Sequence, residues 1–344
     1  MRALLISPNP ASNAGGVERF CCLLAAALES AGWTTSLIGP TNAVPPLLDR
    51  IGLGPSLQAV DVTRKARAEH GDLVVGNGFL GGPAGRRRIH VFHGTMVRHV
   101  MASGDGSRRY RLRQAVGGAV PEALCGRGAT TVAVSSTTAA ELEQLYCQRV
   151  DAVIPNGVDT NLFSPGDRLE ARVRLGLGPS ERYALFVGRF EHRKGADFVA
   201  EACRQAGFTL LAAGSGAPSS ARSLGVLSPA ELAHAYRAAD CVVLPSRYEA
   251  CSFVVLEALA SGVPLLTTPV GWMRDFLRAC PAYSRFIVHP ELASLTGALR
   301  GLAAMRDEAP DPALAQARDY VERHNGVEAF GRQWLELISA VYTR

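Results

Sequence analysis

Short runs of uniformly apolar residues, each followed by a helix-forming stretch, recur along this chain in two successive sets. The first set reads ALLIS (3–7), TTSLIG (34–39), DLVVG (72–76), IHVFHG (89–94), TTVAVS (130–135) and DAVIPNG (151–157). The second reads YALFVGR (183–189), TLLAAG (209–214), CVVLPS (241–246), PLLTT (264–268) and FIVHP (286–290). A half-exposed strand alternates apolar and polar residues. Runs without alternation suit strands covered on both faces, as in a parallel sheet. Helical patterns lie between them: Val17, Phe20, Leu24 and Leu28 fall on one helix face. TTAAELEQL pairs Thr138 with Glu141 as an expected capping box. SPAEL puts Ser228 at a helix cap, Pro229 at the first helical position and Glu231 three residues after the cap. Repeated strand–helix units predict a doubly wound α/β sheet, and two sets in 344 residues predict two similar domains. The stretch PNGVDTNLFSPGD (155–167), dense in turn formers, is the expected linker.

Composition narrows the class. An apolar content of 47% with 19% charged residues describes an ordinary globular chain with a sizeable core. A net charge of +5 is too small to argue for nucleic acid. The eight cysteines form no CxxC, so reduced thiols in a cytoplasmic protein are expected, with no metal centre among them. The opening MRALLISPNP has too short an apolar run for a signal peptide, and no stretch approaches the ~18 apolar residues of a membrane span. GNGFLG (76–81) matches the dinucleotide pattern GxGxxG, but the next apolar run begins near Ile89 and leaves no room for the helix that pattern must open. It reads as a glycine-rich turn.

Chemistry concentrates in the second set. RYEACSFVVLEALASGVP (247–264) carries Glu249 and Glu257 around an apolar run. A loop glutamate and a surface helix glutamate would be the plain reading. The alternative starts from a helix beginning near Ser252 or Phe253, whose first amides attract phosphate. Glu249 then stands before that helix and Glu257 one turn inside it, leaning back toward its start. Both carboxylates would face the crevice at the carboxyl end of the sheet and read vicinal hydroxyls. Cations for a phosphate come from VGRFEHRKGAD (187–197), where Arg189 and Lys194 sit in a strand-to-helix turn and Gly195 opens the helix. Taken alone, they also read as two solvated loop charges.

The E-x7-E pair Glu249/Glu257, GRFEHRKG, PNGVD and the early GGVE, in that order, resemble the retaining nucleotide-sugar glycosyltransferases of family 4 over essentially the whole chain. The resemblance implies the GT-B fold: two Rossmann-like doubly wound α/β domains facing across a cleft, with a C-terminal helix crossing back. It implies an acceptor-side domain over 1–165, completed by 328–344, and a donor domain over 166–327. It implies that Glu257 holds the ribose hydroxyls and Glu249 the donor sugar. Backbone amides around Ser252, Phe253 and Val254 would touch sugar or diphosphate, and Arg189 and Lys194 would stabilise the leaving diphosphate. Gly15 and Gly16 would let the first loop approach the donor, or form only a helix-opening turn. Gly225 and Val226 would lie beside the base, or at an ordinary strand end. His93, after an apolar strand, would stand near the donor sugar, or be structural.

The implied reaction is metal-independent and front-face, with no cofactor and no metal ligands; no Asp-x-Asp occurs. The implied donor is a nucleotide-diphosphate sugar, with UDP as the first nucleotide and GDP or ADP as alternatives. The acceptor would be a sugar, a lipid-linked sugar or a natural product. Rival readings are a nucleotide-sugar epimerase or phosphorylase on the same fold, and a non-catalytic nucleotide-sugar-binding protein. The chain departs from the family pattern at Ala250, Cys251 and Ser252, where Gly-Phe-Gly is common, and at Asp275, where glutamate is usual. These departures bear on donor-sugar identity. From Arg86 to Arg113 eight arginines (Arg86, Arg87, Arg88, Arg98, Arg108, Arg109, Arg111, Arg113) meet one acid, Asp105. This segment reads as a contact with an anionic membrane, a collector for an acidic acceptor, or a solvated basic face; Gly104 and Gly106 are expected to interrupt any long helix there.

Overall fold

The structure, a computed structural model, describes residues 1–10, 15–40, 54–82, 87–104, 107–304 and 311–343. The chain forms two compact units, Met1–Gly157 with Val327–Arg344, and Val158–Gly326.

The first unit is built on β1 (Arg2–Ile6), α1 (Gly16–Ser30), β2 (Thr34–Ile38), α2 (Gly54–Glu69), β3 (Leu73–Asn77), β4 (Arg88–Phe92), α3 (Met96–Ser103), α4 (Arg108–Cys125), β5 (Thr130–Ala133), α5 (Ser136–Tyr146) and β6 (Ala152–Val153). Its strands form one parallel sheet in the order β2-β1-β3-β4-β5-β6. The second unit runs α6 (Arg168–Arg174), β7 (Tyr183–Val187), a 3-10 turn (His192–Lys194), α7 (Ala196–Ala206), β8 (Thr209–Ala213), β9 (Arg222–Gly225), α8 (Pro229–Ala238), β10 (Cys241–Leu244), α9 (Phe253–Ala260), β11 (Leu265–Thr267), α10 (Met273–Ala279), a second 3-10 turn (Pro281–Phe286), α11 (Leu292–Ala304) and α12 (Pro312–Asn325). Its parallel sheet has the order β11-β10-β7-β8-β9. Central strands are buried on both faces: every residue of β3, β7 and β10 is buried, and all but Asn77 at the end of β3 are apolar or glycine.

The closing helix α13 (Val327–Thr343) packs on α1 of the first unit. Phe20 meets Phe330 and Trp334 edge-on, with ring centres 5.9 and 5.4 Å apart. Trp334 is fully buried, so truncating it to alanine is worth about 3–5 kcal/mol.

Three local expectations change. The cap of α5 is Ser135, which accepts from the Thr138 amide, so the helix starts before Thr138 and Glu141 plays no part in a capping box. Glu141 instead accepts a hydrogen bond from the Thr95 hydroxyl at 2.9 Å. FIVHP makes no strand beyond a single parallel bridge between Thr267 and Ile287. The Leu265 amide on β11 donates to the Tyr283 hydroxyl, which takes the place of a ladder partner there. Conversely β9, short and largely exposed, is an edge strand that the apolar-run criterion passes over. The Ser228 capping box is present in full on α8.

Candidate functional site

At the carboxyl end of the second sheet, two loops converge. One leaves β7 and passes through the His192–Lys194 turn into α7. The other leaves β10 and enters α9. They touch at Gly195, whose φ of 70° places it against the Pro245 carbonyl, where a Cβ would collide with backbone. The Arg247 amide donates to the Arg193 carbonyl at 2.7 Å, and the Arg247 guanidinium grips Asp197 at 2.7 and 3.0 Å. The bidentate pair fixes the two loops in register.

Glu249 is the centre of this junction. Its Oε1 lies 3.4 Å from Arg193 Nη1 and 3.6 Å from Lys194 Nζ, and accepts from Ser246 Oγ at 3.2 Å. Arg193 also pairs with Glu191 and donates to the Tyr248 carbonyl at 3.0 Å. The side chains of Arg193, Lys194 and Glu249 are only 9%, 14% and 15% exposed. Such enclosed charges are tolerated because each is paired. Lys194 therefore sits in a tight junction and not in open solvent, whereas Arg189 is 71% exposed and reaches Glu191 only at 3.6 Å. Two arginines and a lysine within six residues look alike in sequence; burial separates their roles and brings in Arg193, which sequence reasoning passed over.

Ser252 caps α9, and Phe253 and Val254 open it. Beside them lies a small pocket lined by Glu249, Ser252, Val255, Thr268 and Trp272. Ala250 and Cys251 are buried behind this loop, and the Ala250 carbonyl accepts from the Trp272 amide at 2.7 Å. Glu257 differs from Glu249 in its surroundings: it is fully enclosed, and its Oε2 accepts from the Tyr236 hydroxyl at 2.8 Å. Gly225 ends β9 with φ of 69°, and Val226 next to it is 78% exposed.

In the first unit, His93 follows β4 and is held by a chain of partners. Its Nε2 is 2.9 Å from Asn77 Oδ1, and Asn77 Nδ2 donates to the Ile6 carbonyl at 2.6 Å. The carbonyl fixes which end of the Asn77 amide faces it, so Oδ1 must accept from His93 and Nε2 must carry the proton. Nδ1 is then the lone-pair nitrogen, able to accept from a hydroxyl. Burial, with His90 nearby, pushes the His93 pKa down to about 3, so the ring is neutral at ordinary pH. Phe20 packs edge-on against it at 4.7 Å. Gly15 caps α1 and Gly16 begins it. The turn after His93 is pinned by two carboxylates absent from the expected site: Glu141 on Thr95, and Glu122, whose Oε2 accepts from the Met96 amide at 2.8 Å and the Tyr146 hydroxyl at 2.6 Å. Burial raises the Glu122 pKa to about 7. Their signal in sequence is faint, since a helical glutamate is ordinarily a surface residue.

Of the arginine-rich segment, Arg86, Asp105 and Gly106 lie outside the described residues. The expected interruption is present: α3 ends at Ser103 with Gly104 left-handed, and α4 starts at Arg108. Among the described residues no group of three or more His, Cys, Asp or Glu is placed to hold a metal, and no helix is long and apolar enough to cross a membrane.

The model of glycosyltransferase family 4 matches residues 14–162, and that of glycosyl transferases group 1 matches residues 181–304. The D-inositol 3-phosphate glycosyltransferase of Segniliparus rotundus is 38% identical over 166 residues, which is 41% of this chain and 37% of that protein. The chain thus spans less than half the length of the curated relatives it matches. Among solved structures, a sucrose-phosphate synthase from Thermosynechococcus elongatus superposes with a TM-score of 0.79 at 22% identity, covering 99% of each chain. Anabaena HepE, solved in complex with UDP, superposes with a TM-score of 0.69 at 18% identity over 99% of this chain and 100% of that one. The two family matches take in most of the chain, each centred on one of its sheets: the chain carries a family 4 glycosyltransferase domain followed by a group 1 glycosyltransferase domain, and it has the GT-B fold.

Proposed function

We propose that this chain transfers a sugar, with retention of anomeric configuration, from a nucleotide-diphosphate sugar to an acceptor hydroxyl. The observation that carries the reading is the enclosed cluster of Lys194, Arg193 and Glu249 beside the first turn of α9. A leaving diphosphate develops negative charge, and fixed positive groups in a site of low water content stabilise it without reorganisation. Lys194, Arg189 and the α9 amides fill that role, with Ser252, Phe253 and Val254 presenting backbone to sugar and phosphate. Arg193 keeps Glu249 in place, and Glu249 accepts from the hydroxyls of the donor sugar. Glu257 takes the ribose hydroxyls. Because it is enclosed, nucleotide binding has to uncover one of its oxygens while Tyr236 keeps the other oriented. Gly225 and Val226 lie beside the base.

The bond from the anomeric carbon to the diphosphate oxygen breaks as the acceptor oxygen bonds on the same face. The acceptor proton passes to the departing phosphate oxygen. His93, neutral with Nδ1 as acceptor, orients a sugar hydroxyl, and Gly15 and Gly16 carry the α1 loop to the donor. The positive groups named here do the work of a divalent cation, so the reaction runs without one. UDP is the nucleotide of choice, in keeping with the UDP complex of the HepE neighbour. The relatives' names put D-inositol 3-phosphate at the head of an acceptor panel.

The test is mass spectrometry of products from UDP-, GDP- and ADP-sugars, each with and without acceptor, in EDTA. Acceptor-dependent glycoside and free nucleoside diphosphate support the reading. A changed donor sugar without acceptor indicates an epimerase, and binding without turnover indicates a non-catalytic protein.

A further inference from the structure

The buried and exposed faces of α4 are sharply divided. Ala115, Gly118, Glu122 and Cys125 point inward, and Gly118 lies so close to Met96 of α3 that a Cβ there would overlap its side chain. Glu122 ties this inner face to the Met96 amide and to Tyr146. At about 100° per residue, the opposite face carries Leu112, Val116, Val120 and Leu124, spaced four apart over ~18 Å. These four are 59%, 57%, 57% and 52% exposed. Ala119 and Ala123 sit between them, so beyond Arg113, which lies on the same side, the outward face is apolar to Leu124. A solvated helix places its polar residues there.

The start of the same helix supplies exposed Arg108, Arg109 and Arg113, and α3 adds exposed Arg98 and Met101. No acidic residue occurs from Ser107 to Pro121, and the first acid of the helix, Glu122, is on the inner face.

We propose that α4 is a docking helix for an anionic lipid surface. It would lie in the plane of the surface, its alkyl stripe among the lipid headgroups and upper chains and its arginines on the lipid phosphates. Charge decides the occupant. A second copy of this helix would set the arginines on arginines or on the alkyl stripe, according to its direction, and neutralise them in neither case, whereas an anionic surface neutralises them. The proposal concerns binding alone and stands apart from the reaction proposed above.

Sedimentation with phosphatidylglycerol-containing vesicles and with pure phosphatidylcholine vesicles tests it. Wild-type protein should pellet with the anionic vesicles only, less so at raised salt. Arg109→Gln with Arg113→Gln should lower partitioning about 30-fold, from roughly fivefold per basic residue. Val116→Gln with Val120→Gln should lower it at least about tenfold through lost alkyl burial, while leaving the melting temperature unchanged, since both side chains face solvent. Equal binding by wild type and both variants, or no binding to anionic vesicles, overturns the proposal. So does a wild-type dimer in sedimentation velocity that the Val116/Val120 variant abolishes, because a second copy would then cover the stripe.

Discussion

Replacing Lys194 by alanine should cut turnover about 10²- to 10³-fold and leave the fold nearly intact. Two numbers set this expectation. Nζ lies 3.6 Å from Glu249 Oε1, where an effective dielectric near 20 gives an attraction of about 4–5 kcal/mol. Enclosing both charges costs a large part of that, and Glu249 keeps Arg193 at 3.4 Å and Ser246 at 3.2 Å after the change. The net stability loss is therefore at most about 2 kcal/mol. Catalysis has no such substitute, because Arg193 is committed to Glu191, Glu249 and the Tyr248 carbonyl. Loss of one preorganised charge facing a developing anion is worth about 2.7–4 kcal/mol. Arg189→Ala removes a side chain that is 71% exposed, so its effect should be smaller than that of Lys194→Ala. The assay is the initial rate of nucleoside diphosphate release at saturating donor, alongside thermal melts. A Lys194→Ala enzyme with near-full turnover would refute the assignment, as would an Arg189→Ala defect larger than that of Lys194→Ala.

Glu257→Gln should weaken nucleotide binding by about one to two decades in calorimetry, the worth of a charged hydrogen bond of about 1.5–3 kcal/mol, while Glu249→Gln should leave nucleotide affinity near wild type and impair transfer; equal losses would contradict this division. Two-bond nitrogen–proton NMR should show His93 as the Nε2–H tautomer, and Asn77→Ala should abolish that single tautomer; an Nδ1–H form in the wild type would break the argument from the Ile6 carbonyl. Glu122 has its folded pKa raised from 4.5 to about 7, so the folded state holds the extra proton and this group's contribution to stability falls as pH rises from about 4.5 to 7. Glu122→Gln should remove that fall, and melts of both proteins at pH 4.5 and 7.5 read the difference; parallel curves would mean the carboxyl is not raised.

Sequence reading went furthest where packing is uniform. Tyr183–Val187 and Cys241–Leu244 are buried on both faces, so their composition alone identifies them as parallel strands. It fell short at edges, where burial no longer dictates composition: β9 is polar, and Ile287 forms only one bridge because Tyr283 serves the Leu265 amide. In the site, Glu249 and Lys194 were legible as residue types in suggestive loops. That Arg193 joins them, while Arg189 faces solvent, depends on the 3-10 turn at His192–Lys194, which no periodicity announces. Glu141 shows how a local motif can mislead: its spacing from Thr138 fits a capping box, yet its partner is Thr95, 46 residues away. The arginines from Arg86 to Arg113 mark that segment by charge in the sequence itself, whereas the stripe from Leu112 to Leu124 becomes distinctive only once the inner face of α4 is known.

The most direct test of the proposed reaction is the stereochemistry of its product. An α-linked UDP-sugar and an acceptor from the panel are incubated with the enzyme in EDTA, and the anomeric proton of the new glycoside is followed by NMR from the first turnovers. The account predicts an α-glycoside that forms only when acceptor is present and disappears with Lys194→Ala. A β-glycoside, or a product that forms only when divalent cation is restored, would contradict it.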